Sequence, residues 1–296
     1  MRTLQYIATK DDDHMRLSHL LQIRLQLTRK QISRLKFRQN GILVNHQPQK
    51  TDYIVHEQDL IQLAIDQECS PMEDIPMCFP IIILYETQDL IVVHKPSGLA
   101  FHPSPGHYYD TLSIQVDHLL KMEGRGTPLY AIGRLDKDTS GIAVFAKHTI
   151  AAQRLHQQRE IGILQKEYLA LVHGNTDEEG TITASIRKKA DQLNRMEIHP
   201  QGKKAKTSYQ KQFGNAQYSL LKVRIHSGRT HQIRIHMHSI HHPIAGDCFY
   251  GIADHAPRLC LHAYQLSFQD PFTSEPVILR DDDETLNSYV RKCIAQ

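Results

Sequence analysis

The spacing of apolar residues changes several times along the chain, and each change predicts an element. Leu17, Leu20, Leu21 and Leu25 recur at helical intervals. Thr28-Arg29-Lys30-Gln31 then fits a capping box, in which the Thr28 hydroxyl and the Gln31 side chain satisfy backbone donors reciprocally. The spacing predicts a second helix from there to about Arg38, closed by Asn40-Gly41 as a left-handed cap, with Ile32 and Leu35 inward. Short apolar runs follow at 42–44, 53–55 and 60–65, with a polar turn at Asn45-His46-Gln47-Pro48. Residues 67–80 carry three prolines and no period, and read as a linker. Beyond it, strand-like runs at 81–85, 90–94, 141–146, 168–172, 209–213 and 219–226 are interspersed with helical segments at 111–122 and 149–159. The alternation is too irregular for a doubly wound sheet. An α+β fold is predicted, with a small α/β module at 1–66 and a larger mixed domain at 81–296.

Composition narrows the class. A chain of 296 residues, 40% hydrophobic and 23% charged, is globular and long enough to bury a core without staples. The densest apolar stretch, 79–84, is six residues with a proline inside it, against the ~20 of a membrane span. The first residues lack a signal-peptide apolar run, and the five cysteines are scattered without a C-x-x-C pair. Both features predict reduced thiols in a cytoplasm, with neither a disulfide framework nor a cysteine zinc site. The net charge is only +3, but it is segregated. Eight basic residues and no acid lie between Met15 and Thr51, and Lys30, Arg34 and Arg38 repeat every four residues beside Arg29. A second concentration, from Arg187 to Lys211, holds eight basic residues against Asp191 and Glu197. Such a distribution suggests a polyanion partner.

The segment with most chemical content is YAIGRLDKDTSGIAVFAK, residues 130–147. Asp136, Asp138, Ser140 and Gly141 match early positions of a calcium loop, but the twelfth position, which must be a bidentate carboxylate, is Lys147. Asp136 and Asp138, two residues apart on one loop, are poorly placed to flank a glycosidic bond at roughly 5 Å or more. An Arg134–Asp136 ion pair in a simple hairpin turn is the bland alternative. The full string Arg134-Leu135-Asp136-x-x-Thr139-Ser140-Gly141, however, resembles the H-R-L-D-x-x-T-S-G signature of the RluA family of pseudouridine synthases, with Gly133 in place of the histidine. Further segments resemble that family in order: His94-Lys95-Pro96-Ser97-Gly98-Leu99, Lys166-Glu167-Tyr168, Gly228-Arg229-Thr230-His231-Gln232-Ile233-Arg234, His242-Pro243-Ile244 with Gly246-Asp247, and Leu261-His262-Ala263. Residues 14–66 resemble the small RNA-binding module named for a ribosomal small-subunit protein.

The resemblance implies an isomerase that detaches uracil from ribose at ring nitrogen 1, turns it and rejoins it at carbon 5. That reaction moves no electrons or phosphoryl groups and needs no redox or nucleotide cofactor. It implies Asp136 as the essential carboxylate, Tyr168 as the stacking platform for the ring and Arg234 as a cation beside the carboxylate. A carboxylate dried by burial needs such a neighbour to stay charged. Thr230 is expected to cap the helix carrying Arg234. The resemblance further assigns Arg134 to the space left by an extruded uridine, and Leu261 to apolar packing against the base. Arg187, Lys188, Lys203, Lys204 and Lys206 are expected to hold RNA phosphates.

Twenty histidines, six of them between His226 and His242, tempt a metal reading, but no H-E-x-x-H or cysteine pair accompanies them. Structural or RNA-facing roles are expected, and no metal. The overall expectation is a cytoplasmic, monomeric RNA pseudouridine synthase, acting on ribosomal more readily than transfer RNA. Two other classes compete. One is a non-catalytic RNA- or ribosome-binding protein retaining the fold, which Gly133 favours; the other is a nucleoside-bond hydrolase, which would release free uracil.

Overall fold

A computed structural model describes residues 3–65, 75–191 and 195–294. The chain divides into two compact units, Met1–Pro71 with His148–Ile150, and Met72–Lys147 with Ala151–Gln296. Most of the expected linker lies outside the described residues.

The first unit contains β1 (Thr3–Ile7), α1 (Leu17–Ile23), α2 (Arg29–Lys36), β2 (Ile42–Val44), β3 (Gln47–Pro48) and β4 (Leu60–Ala64). Its antiparallel sheet has the order β1-β4-β2-β3. Leu17, Leu20 and Leu21 of α1, Ile32 of α2 and the strand residues Ile42, Val44, Ile61 and Leu63 are all buried. The capping box at α2 forms: the Gln31 backbone N–H donates to the Thr28 hydroxyl, and the Thr28 N–H donates to the Gln31 side chain at 2.8 Å. The helix ends at Lys36, two residues earlier than its apolar spacing suggests, and Asn40 takes the left-handed conformation at φ 53°. Asn45 and His46, both at positive φ, make a two-residue turn whose twist suits the β2–β3 hairpin. The apolar run at 53–55 is not a strand. Its carbonyls at Tyr53 and Val55 instead accept from Leu17 and His14, tying it to the start of α1.

The second unit contains β5 (Ile82–Glu86), β6 (Leu90–Lys95), α3 (Leu112–Met122), β7 (Tyr130–Ala131), β8 (Ser140–Ala146), all but the first two residues of α4 (Thr149–Glu160), and β9 (Gln165–His173). There follow β10 (Glu179–Thr183), β11 (Ile186–Lys188), β12 (Met196–Ile198), β13 (Lys206–Gly214), β14 (Tyr218–Ile225), α5 (Gln232–Ser239), β15 (Leu261–Gln269), β16 (Pro276–Arg280) and α6 (Glu284–Ile294). A ten-stranded sheet runs β10-β13-β14-β9-β15-β8-β6-β5, with β16 on β15 and β7 on β8. Its pairings are antiparallel except β8 with β15. The fold is therefore α+β around a large, mostly antiparallel sheet.

All seven residues of β8 are buried, which is why its sequence, SGIAVFA, reads as a continuous small and apolar run rather than an alternation. Ala143 and Phe145 face one layer with Ile91, Val93, the α3 residues Leu112, Val116 and Leu120, and residues of α5 and α6. Ile142, Val144 and Ala146 join Leu90, Val92 and the α4 residues Ala151, Ala152 and Leu155 on the other. Gly141 adopts φ +115°, and a Cβ there would overlap the Ala263 backbone. Only glycine lets β8 and β15 approach closely enough to pair.

Candidate active site

The signature loop leaves β7 at Ala131, returns as β8 at Ser140, and is pinned from behind. The Lys95 ammonium, fully buried at the end of β6, donates to the carbonyls of Pro96 (2.9 Å), Lys137 (2.7 Å) and Thr139 (2.8 Å). The Ser97 hydroxyl donates to the intervening Asp138 carbonyl at 2.6 Å. Three successive loop carbonyls are thus held by the Lys95-Pro96-Ser97 segment. Burial pushes the Lys95 pKa down to about 7, against the opposing charges of Asp138 and Asp136. Below the loop, Ser140 Oγ hydrogen-bonds His262 Nδ1 at 2.8 Å and donates to Asp283 at 3.2 Å. His262 Nε2 pairs with the Asp281 carbonyl, and His94 Nδ1 with the Asp281 carboxylate at 2.7 Å.

Asp136 is half-buried, and among the described residues its carboxylate has no hydrogen-bond or ion-pair partner. It opens on a cleft of about 850 Å³ whose walls include Arg134, Leu135, Thr139, Arg159, Lys166, Tyr168, Arg224, Arg229, Ile233 and Leu261. Tyr168 on β9 stands in register between Val223 of β14 and Ala263 of β15, and its side chain is buried. Burial, reinforced by the Asp136 charge, raises the Tyr168 phenol well above its usual range, so the ring stays neutral. Leu261, the first residue of β15, is buried beside it. Lys166 is half-buried, and its ammonium donates to the Ile142 carbonyl at 2.9 Å. Burial and the neighbouring Arg159 lower its pKa to about 7. Arg224 pairs with Glu167 at 2.6 Å, a carboxylate that Lys222 shares at 2.8 Å.

Arg234 sits in the protein interior, 1% exposed. Its Nε and Nη2 each donate at 2.7 Å to the two oxygens of Asp247, a bidentate pair, and its guanidinium lies 5.1 Å from the Phe249 ring centre. Asp247 in turn accepts from the backbone N–H groups of Phe249 and Tyr250. Burial raises the Asp247 pKa, but the hydrogen bonds and charge of Arg234 outweigh it and hold the carboxyl low. The direct partner of Arg234 is thus Asp247. Asp136 lies within electrostatic reach of the same guanidinium without a hydrogen bond to it. Asp247 was visible in the sequence only as part of a Gly-Asp pair, with nothing to assign it to Arg234.

The local helix start also differs from expectation. Thr230 does not cap α5; His231 precedes the helix at φ +53°, and no side chain caps it. The buried Gln232 amide takes over the preceding loop. It accepts from the Ser227 hydroxyl and the Arg229 N–H, and donates to the Lys206 carbonyl and the Thr207 hydroxyl.

The family profile of RNA pseudouridylate synthases matches residues 89–239, a stretch that includes the signature loop, Tyr168 and Arg234. The chain is 31% identical over 281 residues to the RNA pseudouridine synthase YhcT of Bacillus subtilis, covering 94% of this chain and 92% of that protein. It is 34% identical over 226 residues to the ribosomal large subunit pseudouridine synthase D of Nitrosomonas europaea, covering 72% of this chain and 66% of that one. Among solved structures, human RNA pseudouridylate synthase domain containing 1 superposes with a TM-score of 0.56 at 26% identity, over 72% of this chain and 86% of that one. The chain belongs to the RNA pseudouridine synthase family.

In this synthase the expected site residues fall into two groups. Arg134, Asp136, Tyr168 and Leu261 share the cleft; Arg234 is buried and does not line it, though its α5 neighbour Ile233 does. Arg187, Lys188, Lys203 and Lys204 do not line it. All four are exposed; Arg187 pairs with Glu197 across the β11–β12 hairpin at 2.6 Å. Sequence reading passed over Arg159, Arg224 and Arg229 as cleft groups, since nothing in their spacing brings α4 and β14 to the signature loop. Four of the six crowded histidines have separate partners: His226 with Ser208, His231 with Tyr250, His236 with Thr207, and His242 with the His173 carbonyl. The only group of three potential ligands among the described residues is Asp13, His14 and His56, all exposed. No described helix is long and apolar enough to cross a membrane.

Proposed function

We propose that Asp136 is the catalytic carboxylate of this RNA pseudouridine synthase and that ribosomal RNA is its substrate. The observation that carries the site assignment is an unpaired carboxylate facing Tyr168 and Leu261 across a cation-rich cleft, in a loop whose carbonyls are already committed to Lys95 and Ser97. A stacked uridine cannot reach such a group, so it is flipped out at a cost of a few kcal/mol. Arg134, exposed at the cleft edge, takes the vacated position in the RNA stack. Tyr168 and Leu261 then hold the uracil face, stacking being worth ~1–3 kcal/mol per base. Cleavage of the bond from nitrogen 1 to the sugar leaves a ring that must stay in place while it turns, and the neutral Tyr168 retains it by contact rather than by proton exchange. Rejoining at carbon 5 expels the hydrogen there, and the proton count is restored at nitrogen 1. Arg234, its charge balanced by Asp247, leaves the Asp136 oxygens free for substrate.

The first unit is read as the RNA-binding module. Arg29, Lys30 and Arg34 are exposed on α2, Arg38 follows it partly covered, and Phe37 is 82% exposed within this basic surface. Similarity to a ribosomal large-subunit enzyme supports ribosomal RNA as the target.

The test is tritium release from RNA labelled at uracil carbon 5. Asp136→Asn is expected to release none while binding the same RNA as the wild type does. Release at a wild-type rate would overturn the assignment.

A further inference from the structure

We propose that Arg159 is a substrate-binding residue of the synthase, holding an RNA phosphate at the cleft between the signature loop and the 226–231 loop. This inference rests on the cleft being the uridine site. Arg159 lies on the last turn of α4, outside every segment that resembles the family's motifs. Its side chain crosses to two loops at once. A Cβ on Gly133 would fall 3.3 Å from its Nη1, and one on Gly228 would overlap its Nη2. The guanidinium therefore lies against backbone at two positions where the chain has no side chain. One of them is Gly133, at φ +78°, where the family signature usually has a histidine.

The charge of this group is not compensated. Among the described residues no carboxylate forms an ion pair with Arg159, although Glu160 is its neighbour in the chain and also lines the cleft. Arg224, which also lines the cleft, differs from it in having a carboxylate partner, Glu167, shared with Lys222. Arg134 and Arg229, with Lys166 charged in part, add further positive charge around Asp136. Cations gathered this closely repel one another until an anion joins them, and a planar guanidinium exposed on one face suits a phosphate bidentately. The ligand this chemistry selects is the phosphodiester of an RNA strand entering the cleft. The guanidinium thus provides a polar donor in the region where Gly133 has no side chain of its own.

The experiment measures kcat and KM for tritium release by the full chain, using uracil-labelled RNA from cells lacking this protein, over a series of KCl concentrations. Arg159→Ala is expected to lower kcat/KM about tenfold, mostly through KM. It should also make the slope of log kcat/KM against log salt shallower by roughly 0.7–0.9, the signature of one lost phosphate contact. Arg159→Lys should keep the slope and recover part of the affinity, because the charge remains while the fork is lost. An Arg159→Ala variant with unchanged KM and salt slope would overturn the proposal, as would one losing only kcat. Asp136→Asn is the control that separates the two readings. It removes release but leaves RNA affinity and its salt slope intact, so an active Asp136→Asn enzyme refutes the cleft assignment whatever Arg159 does.

Discussion

Replacing Lys95 with methionine tests whether the signature loop is held by one buried ammonium. The substitution keeps most of the side-chain volume and removes three donors. The Thr139 carbonyl is fully buried in this contact and those of Pro96 and Lys137 partly so. Leaving such acceptors unsatisfied costs ~1–3 kcal/mol each, and the low end applies where water can reach them. About 4 kcal/mol is lost on that basis, half of it at Thr139, of which ~2 kcal/mol returns because methionine needs no dehydration of a charge. The remaining ~2 kcal/mol falls on the ordering of residues 137–139, next to Asp136, and corresponds to roughly a 30-fold drop in kcat. The assay is single-turnover tritium release at saturating RNA, with thermal unfolding measured on the same samples. A Lys95→Met enzyme within about threefold of wild type would refute the reasoning.

The wild-type pH profile provides a second arm. With its pKa lowered to about 7, Lys95 loses a proton above neutrality and keeps two N–H donors for three carbonyls. The rate should fall on that side, and the fall should be absent from Lys95→Met. Global stability has the opposite sign. The unfolded chain binds the extra proton between about 7 and the ordinary 10.5, so the Lys95 contribution to stability rises across that window.

Three further outcomes follow from other parts of the molecule. Asp247→Ala strands the buried Arg234 guanidinium and should destabilise the second unit by about 3–5 kcal/mol in urea unfolding; an unchanged midpoint would contradict the buried pair. Burial raises the Asp12 pKa, but hydrogen bonds from Tyr6, Thr9 and Arg24 outweigh this and hold it well below the ordinary range. The first unit should therefore keep its full Asp12 contribution above about pH 4 and lose it as the pH falls further, which the NMR signals of the buried Leu20 and Leu21 methyls would report. Asp12→Ala should remove that acid sensitivity. Neutralising Arg29, Lys30 and Arg34 together should weaken RNA binding and flatten its salt dependence by up to about two units of slope, leaving kcat at saturating RNA unchanged.

Legibility followed burial. Most interior strands and the helices α3 and α4 were readable because their apolar runs are dense, and their limits move by only a few residues; the interior strand β15, whose apolar residues are broken by His262, Tyr264 and Gln265, was not read as a strand. The β11–β12 hairpin, β16 and β1 lie at edges, where half the side chains meet water and the period is diluted by Thr, Gln, Arg and Lys. Asp136, Tyr168 and Leu261 converge on one cleft as their motifs suggested. Neither the pairing of Arg234 with Asp247 nor the position of Arg159 could be read in that way. Both depend on the meeting of helices with distant loops, which local spacing does not encode. Thr230 failed as a cap because Gln232, two residues on, satisfies the loop by another route.

The order of strands has a consequence for biosynthesis. Asp136 precedes β8 and Tyr168 stands on β9, yet β15 is the strand inserted between those two. A ribosome making this chain finishes both residues long before it makes the strand that joins their supports. Until residues 261–269 emerge, the nascent polypeptide has its chemical groups but no cavity to hold them. Modification of RNA therefore cannot begin before β15 has been made.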